Sequence, residues 1–313
     1  MLPASNPAEA RVAILLATYN GGRFLAAQLE SLRQQTHRAW HLFWRDDGSG
    51  DDTCAIIDAW PMRDRITRVD QDSGRRGVLG SFMKILAAAA EDFEYFAFCD
   101  QDDVWLPDKI SRAVGWLQGH GAALGLYCGR QRLVDDDLEP LGLSAIPRRP
   151  PGFRNALVQN IATGCTTVLN AAARRAILAA PPPAGSIHDW WAYIVVSGAG
   201  GRILFDPQPF ILYRQHTDNA VGANASLLLR ARRAAARGAG PFVERLRDHL
   251  AALTSSGGLA PENAAIVRLL SELGDHRWTR RWITLRRARL YRQTMLEDLL
   301  LYLWLAAKRL PDG

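Results

Sequence analysis

The chain has 313 residues, 48% of them hydrophobic and 22% charged, as expected of a globular protein with a substantial core and one large domain plus an appendage. Its four cysteines, Cys54, Cys99, Cys128 and Cys165, lie far apart without a CxxC pair. This argues against a disulfide framework or a zinc site and for free thiols in a reducing cytoplasm. The net charge of +6 is uneven: residues 1–226 hold 22 Lys and Arg against 24 Asp and Glu, whereas residues 227–313 hold 16 against 8.

Residues 1–11 contain Pro, Asn and Glu without an apolar core, so no signal peptide is expected, and the apolar tract 299–307 is too short to cross a bilayer. Residues 12–17 (VAILLA) are continuously apolar, as in a parallel strand buried on both faces, and end in the turn cluster Thr18-Tyr19-Asn20-Gly21-Gly22. A helix follows, with Phe24, Leu25, Leu29 and Leu32 on one face. A second strand is expected over 40–44, stopped by Arg45-Asp46-Asp47-Gly48-Ser49-Gly50. Asp51 or Asp52 then caps a helix through Ile56, Ile57 and Trp60. A weak strand over 66–69, a helix over 78–90 and a strand over 95–99 lead into Asp100-Gln101-Asp102-Asp103. Pro107 suits the first turn of a helix through Ile110, Val114 and Leu117.

Beyond residue 120 the alternation blurs. Residues 124–134 read as a strand or hairpin arm, 148–152 as a loop, 161–170 as a strand, 171–180 as an Ala-rich helix and 190–198 as an apolar helix. Strands are expected over 203–205 and 210–213, and residues 227–310 read as mostly helical, broken near 238–241 and 255–261. The fold class is therefore α/β: a Rossmann-like, mostly parallel sheet flanked by helices, followed by a helical extension. In such sheets ligands bind beyond the carboxyl ends of the strands, so the clusters at 18–20, 46–52 and 100–103 should converge on one crevice.

The cluster Asp100-Gln101-Asp102-Asp103 offers oxygen ligands to a hard divalent cation that also holds substrate phosphates. Acids decorating a helix N-terminus are the plainer explanation. At 46–53 (DDGSGDDT) a carboxylate is available to a base N–H or ribose hydroxyl while the glycines let backbone approach closely; an Asx turn with a helix cap is the alternative.

The segments ILLATYNGGRFLAAQLESL, RDDGSGDDT and FCDQDDVWLPDKI resemble successive motifs of family 2 glycosyltransferases with the GT-A fold. GCTTVLN (164–170), IHDWW (187–191) and PFILYRQHTDNAVG (209–222) resemble later motifs of that family's rhamnosyltransferase-like branch. The resemblance spans about residues 11–224 with six motifs in order. It implies an inverting transfer of a sugar from a nucleoside diphosphate, with L-rhamnose from dTDP-rhamnose as the expected donor and UDP- or GDP-sugars as alternatives. The implied acceptor is a cell-surface polysaccharide precursor or other lipid-linked glycan.

By carry-over, Asp47 binds the nucleobase, Thr18, Tyr19 and Asn20 line the nucleotide pocket, and Gln101 joins them. Asp100 and Asp102 hold Mg²⁺ or Mn²⁺ and the sugar, and Asp189 is the catalytic base. His216 completes the metal shell or touches the diphosphate, which Arg214 neutralises. A helix N-cap is the plain alternative for Asp189, and a structural histidine for His216. Two departures stand out: the family's Glu-Asp pair is His188-Asp189, and the QxxRW-type motif of processive synthases is absent.

The resemblance divides the chain into a catalytic domain over 1–226, with a nucleotide half over 11–120 and an acceptor half over 121–226, and a basic helical extension over 227–313. The extension interleaves Trp278 and Trp282 with Arg280, Arg281, Arg286, Arg287 and Arg289 ahead of Trp304. Interfacial helices carry this pattern, so peripheral contact with the inner face of the cytoplasmic membrane is expected; packing of these helices on the catalytic domain is the alternative. A nucleotide-binding partner without activity is opposed by the acid at each key position. A nucleic-acid partner is opposed by the acidic crevice, and none is expected.

Overall fold

The computed structural model describes residues 10–69, 74–119, 121, 123–215, 240–272 and 278–307. Its strands are β1 (Val12–Thr18), β2 (Trp40–Asp46), β3 (Ile66–Arg68), β4 (Tyr95–Cys99), β5 (Val104–Trp105), β6 (Gly125–Gly129), β7 (Arg132–Val134), β8 (Pro140–Leu143), β9 (Val168–Asn170), β10 (Arg202–Asp206) and β11 (Ile211–Arg214). Its helices are α1 (Gly22–Arg33), α2 (Thr53–Asp58), α3 (Gly77–Ala88), α4 (Lys109–Gly119), α5 (Phe153–Ala156), α6 (Ala171–Ala179), α7 (His188–Gly198), α8 (Gly240–Ser256), α9 (Pro261–Ser271), α10 (Trp278–Ala288) and α11 (Met295–Ala307).

Seven strands form one sheet in the order β10-β6-β9-β4-β1-β2-β3. All its pairings are parallel except those of β9, which runs antiparallel to both β4 and β6. The apolar run of β1 explains its central place. Ala13 and Leu15 enter the core on one face, while Val12, Ile14 and Leu16 enter the core on the other, the two-residue period of a strand covered on both sides.

A second sheet, β5-β11-β7-β8, was not legible as such. The segment expected as one arm over 124–134 divides between the sheets: β6 stays in the large one and β7 pairs parallel with β11 in the small one. The two-residue strand β5 follows the acidic cluster and pairs antiparallel with β11. Of the strand expected over 161–170, only Val168–Asn170 is extended. Gly164–Thr166 makes a single 3₁₀ turn instead. Pro107 precedes α4 rather than entering its first turn. Asp52 occupies the N-cap of α2 without a side-chain bond, whereas Asp51 accepts from the Thr53 amide at 3.1 Å.

The C-terminal helices share the main core. Val243, Leu246, Leu250, Ile266, Leu270, Leu285, Leu301 and Leu305 belong to the same apolar cluster as Trp190 and Trp191 of α7. Helix α7 is buried along its whole length and is clamped at both ends. His249 Nε2 lies 2.9 Å from Ser186 Oγ just ahead of it. The Asn263 side-chain amide donates to the Ser197 and Gly198 carbonyls at 3.1 and 3.0 Å, which satisfies acceptors that every helix end leaves open.

Trp282 and Trp304 are half-buried against this core, and Trp282 meets Tyr302 edge-on with centroids 5.8 Å apart. The tryptophans expected at a membrane interface thus pack inward where they are described; the Trp278 side chain lies outside the described residues.

Candidate active site

Three strand ends meet as expected. Thr18 lies opposite Asp46 in the β1–β2 register, and Leu16 lies opposite Cys99 in β1–β4, so Asp100 follows directly beside them. Beyond these ends is a cavity of about 340 Å³ whose wall includes Thr18, Tyr19, Asp47, Asp100, Gln101, Asp102 and Asp189. Residues far apart in the chain therefore share one crevice.

The turn after β2 is built around Asp46. It accepts from the Thr18 hydroxyl at 2.9 Å, the Ser49 hydroxyl at 2.5 Å and the Gly48 and Ser49 amides at 3.0 and 2.8 Å. Gly48 has φ +91, a conformation that favours glycine. Asp47 projects into the cavity from this turn. Burial alone would raise its carboxyl, but bonds from the Arg76 amide at 2.7 Å, the Arg45 guanidinium at 2.6 Å and the Gly77 amide at 2.9 Å hold it below the usual range. It is a fixed carboxylate on the cavity wall.

Gln101 braces the other side, accepting from the Tyr19 amide at 2.8 Å and donating to the Tyr19 carbonyl at 3.1 Å. Any side chain at Gly21 would collide with it. The Tyr19 ring lies under the Arg75 guanidinium, 3.8 Å from its centroid.

Two residues expected at the ligand stand off the cavity wall. Asn20, at φ +48, accepts from the Gly50 amide at 2.9 Å and its own amide donates to Ser49 Oγ at 2.8 Å, so it braces two loops. Arg214 is buried and donates to the Asp102 carbonyl at 2.8 Å and to the Asp136 carbonyl; its amide donates to Asp103 at 3.1 Å. It clasps the acidic loop from behind. The Thr18 hydroxyl lines the cavity but is engaged by Asp46 and by Trp44 Nε1 at 2.9 Å. His216 lies outside the described residues.

The acidic cluster is short of positive charge. Burial, then the neighbouring Asp102 and Asp189 charges, push Asp100 up to about 8, and burial with the same crowding raises Asp103 well above the carboxylate range. Asp103 Oδ2 lacks a well-formed hydrogen bond, with the Cys165 thiol beside it. Ligand atoms of Asp100, Asp103 and Cys165 lie within 4.8 Å of one another. Burial raises the Cys165 thiol well above its usual value. Lys109, buried over the Trp105 ring at 3.4 Å, is one nearby cation, which burial brings down to about 8, and Arg214 behind the loop is another. Crowded oxygens of this kind fit a hard divalent cation.

Asp189 sits in the first turn of α7, with Ile187 rather than Asp189 at the N-cap. Its Oδ2 accepts from the Gly164 amide at 2.7 Å and Oδ1 from the Trp190 amide at 2.5 Å, with the Asn160 side chain adding a further bond. Burial outweighs these bonds and pushes it up to about 6. Beside it His188 stacks on Phe82 at 3.9 Å and meets Phe98 edge-on. Burial brings it down to about 3, so it is neutral, and neither ring nitrogen has a hydrogen-bond partner.

Sequence reasoning missed Arg75, Phe82, Thr163 and Gly164 on the cavity wall. Only Gly164 left a signal: a Cβ there would lie 2.7 Å from His188 Nε2, so the glycine of GCTTVLN is a packing requirement of the His188-Asp189 pair.

Comparison with known proteins agrees with this geometry. The sequence model described as "Glycosyl transferase family 2" matches residues 13–180. The dTDP-rhamnosyl transferase RfbG of Shigella flexneri is 28% identical over 67% of this chain and 75% of its own length. The UDP-glucose-dependent β-1,3-glucosyltransferase WfgD of Escherichia coli, whose named acceptor is an N-acetylglucosamine diphosphoundecaprenol, is 23% identical over 50% of this chain and 59% of its own. Among solved structures, Staphylococcus aureus TarS 1–349 with UDP-GlcNAc superposes with a TM-score of 0.60 at 14% identity, covering 84% of this chain and 71% of that one. A Pyrobaculum calidifontis mannosyltransferase with GDP-mannose and Mn²⁺ gives 0.54 at 18% identity, covering 97% and 88%. The architecture is that of the GT-A glycosyltransferases, and the chain belongs to glycosyltransferase family 2.

Proposed function

We propose that this glycosyltransferase moves L-rhamnose from dTDP-rhamnose, with inversion at the anomeric carbon, onto a lipid-linked glycan at the cytoplasmic membrane. Asp100 and Asp102 hold Mg²⁺ or Mn²⁺ in this reading. Residues 1–226 form the catalytic unit, with the nucleotide half over 11–120 and the acceptor half over 121–226, and residues 227–313 form its extension. The observation that carries the proposal is the wall shared by Asp100, Asp102 and Asp189: a donor-side acidic pair faces one buried carboxyl poised near neutrality.

In the reaction the acceptor oxygen bonds to the anomeric carbon as the bond from that carbon to the diphosphate oxygen breaks. Asp189, pushed up to about 6 by burial, takes the acceptor proton, a task that favours a base with a pKa near the working pH. The Gly164 and Trp190 amides orient the carboxylate. Asp47 receives the base, and Tyr19 with Arg75 above it edges the nucleotide side. The neutral His188 offers a nitrogen to a sugar hydroxyl. A bound divalent cation supplies positive charge against the departing diphosphate.

The donor assignment is supported by the RfbG relative, and the lipid-linked acceptor by the name of WfgD. The test compares dTDP-rhamnose, UDP-glucose and GDP-mannose, each with and without Mn²⁺, by thermal stabilisation and by release of nucleoside diphosphate. The expected result is preference for dTDP-rhamnose that needs the cation. Preference for another sugar overturns the donor, and turnover independent of metal overturns the cation.

A further inference from the structure

Helix α11 is apolar on two sides, and only one of them is covered. Leu301 and Leu305 are buried in the main core, but Met295, Leu296, Leu299, Leu300 and Leu303 are 82%, 67%, 51%, 40% and 49% exposed. At 100° per residue these five fall within an arc of roughly 140° on one face. Ile283 of α10 is also exposed, at 52%. A contiguous apolar face of this kind marks an interaction surface.

Its flank is cationic. Arg154 of α5 and Arg286, Arg287 and Arg289 line an open cleft of about 570 Å³ with Ile283. A neighbouring cleft of about 410 Å³ joins Arg286 and Arg289 to Leu299, so the arginines run into the leucine face. Arg286, Arg287 and Arg289 form no ion pair among the described residues. The acid on this wall, Asp298, is held by Arg149 at 2.5 Å and by the Arg292 amide at 2.6 Å.

We propose that the outward face of α11 docks on an anionic phospholipid bilayer, with the arginine-lined cleft beside it taking the lipid phosphates. The 13 residues of α11 span about 20 Å, less than the roughly 30 Å of a hydrocarbon core, so the helix lies in the interface instead of crossing it. No helix of the described residues is long and apolar enough to cross a membrane. Charge selects the occupant. A second copy seated symmetrically would bring two arginine clusters together, and a nucleic acid would leave the leucines without a role.

The face is tied to the catalytic base. Tyr291 ahead of α11 accepts from the Asn155 side chain at 3.1 Å through its carbonyl and donates its hydroxyl to the Pro150 carbonyl at 2.7 Å. That segment runs on to Asn160, which bonds Asp189. The inference rests on the proposed lipid-linked acceptor, which a docked α11 would present to the site.

The test is co-sedimentation of the full chain, without donor, with vesicles of phosphatidylglycerol and phosphatidylethanolamine or of phosphatidylcholine alone. Two surface variants accompany it, Arg286→Gln/Arg287→Gln/Arg289→Gln and Leu296→Gln/Leu299→Gln/Leu303→Gln. The wild type should bind the anionic vesicles and weaken as salt rises. At roughly fivefold per arginine, the three substitutions of the first variant should lose about 100-fold in partitioning, and the second should also release. Equal binding to both vesicle types, binding unchanged in either variant, or wild type left in solution overturns the proposal. A dimer that dissociates on the leucine substitutions without vesicle binding reassigns the face to a second copy. Thermal stabilisation by dTDP with Mn²⁺ controls for folding of the variants. Its absence in the wild type would count against the donor assignment alone and leave the vesicle result standing.

Discussion

The crevice and the C-terminal helices are built on opposite terms. In the crevice, carboxylates are crowded where burial penalises their charge: Asp100 is pushed up to about 8 and Asp189 to about 6. Such crowding opposes stability and is kept where chemistry needs it. In helices α8–α11 the inward residues are mostly Val, Leu, Ile and Ala in one continuous core, with Trp282 and Trp304 packed against it, and the neutral side chains of His249 and Asn263 hold the two ends of α7. One region holds the proposed reacting groups and the other holds the helix that carries them. Substitutions in the crevice should therefore move rate and ligand affinity, and substitutions in the extension should move stability.

The largest expected effect is from Asp189→Asn. The amide is nearly isosteric but takes up no proton, so turnover should fall by at least ~10²-fold while donor affinity stays within a few-fold. Single-turnover kinetics beside donor titration separates the two, and near-normal turnover would place the base elsewhere. Thermal stability should change little, because removal of a buried charge is offset by an amide NH2 set against one of the Gly164 and Trp190 N–H donors.

Next is Asp102→Ala, which should abolish the part of donor stabilisation that depends on Mn²⁺ while leaving the unliganded melting temperature close to wild type. Undiminished stabilisation by nucleotide sugar plus Mn²⁺ would remove Asp102 from the donor site.

Third is pH. Asp189 must be ionised to accept a proton, and its carboxyl is raised to about 6. Turnover should thus be maximal above that value and decline about tenfold per pH unit below it. His188, brought down to about 3, stays neutral across that range and adds no limb of its own. A profile flat to pH 4.5 would mean that Asp189 is not the titrating base.

What the sequence disclosed follows the same division. Asp47, Asp100, Asp102 and Gln101 were legible because each closes an apolar strand, and strand ends in a parallel sheet converge whatever the loops do. Asp189 was legible as an acid opening an apolar helix, but its partners were not. Gly164 and Asn160 lie 25 and 29 positions before it, Gly164 in a stretch that reads as strand and folds as a 3₁₀ turn leading into β9, and Asn160 just ahead of that stretch. Arg214 was expected at the diphosphate from the resemblance of the segment PFILYRQHTDNAVG to a family motif. The pairing of β11 with β5 turns it behind the acidic loop, and pairing partners are not written in a local pattern. In the extension, helix content was legible and orientation was not: the Trp/Arg interleaving suggested tryptophans facing a membrane, whereas Trp282 and Trp304 pack inward and leucines face out.

The smallest effect is the one that tests the comparison itself. Asn263 lies in α9 of the extension, and its amide closes the last turn of α7 through the Ser197 and Gly198 carbonyls. Asn263→Ala removes two buried hydrogen bonds, but the Gly200 and Ala260 amides still donate to the same carbonyls at 3.1 and 2.9 Å, so the loss is about 0.5–1.5 kcal/mol per bond, read as a drop of a few degrees in melting temperature. Asp189 sits at the other end of the same helix, about 13 Å away at 1.5 Å per residue, and is held there by Gly164 and Trp190 independently of Asn263. Turnover at a temperature where both proteins are folded should therefore stay within about twofold of wild type, with the acid limb still near pH 6. Paired with Asp189→Asn, which should lose turnover and keep stability, this gives a double dissociation between the two regions. A fall in turnover comparable to that of Asp189→Asn, or an acid limb displaced by a full pH unit, would mean that α9 sets the position of the base through α7, and the extension would then belong to the catalytic machinery rather than to its support.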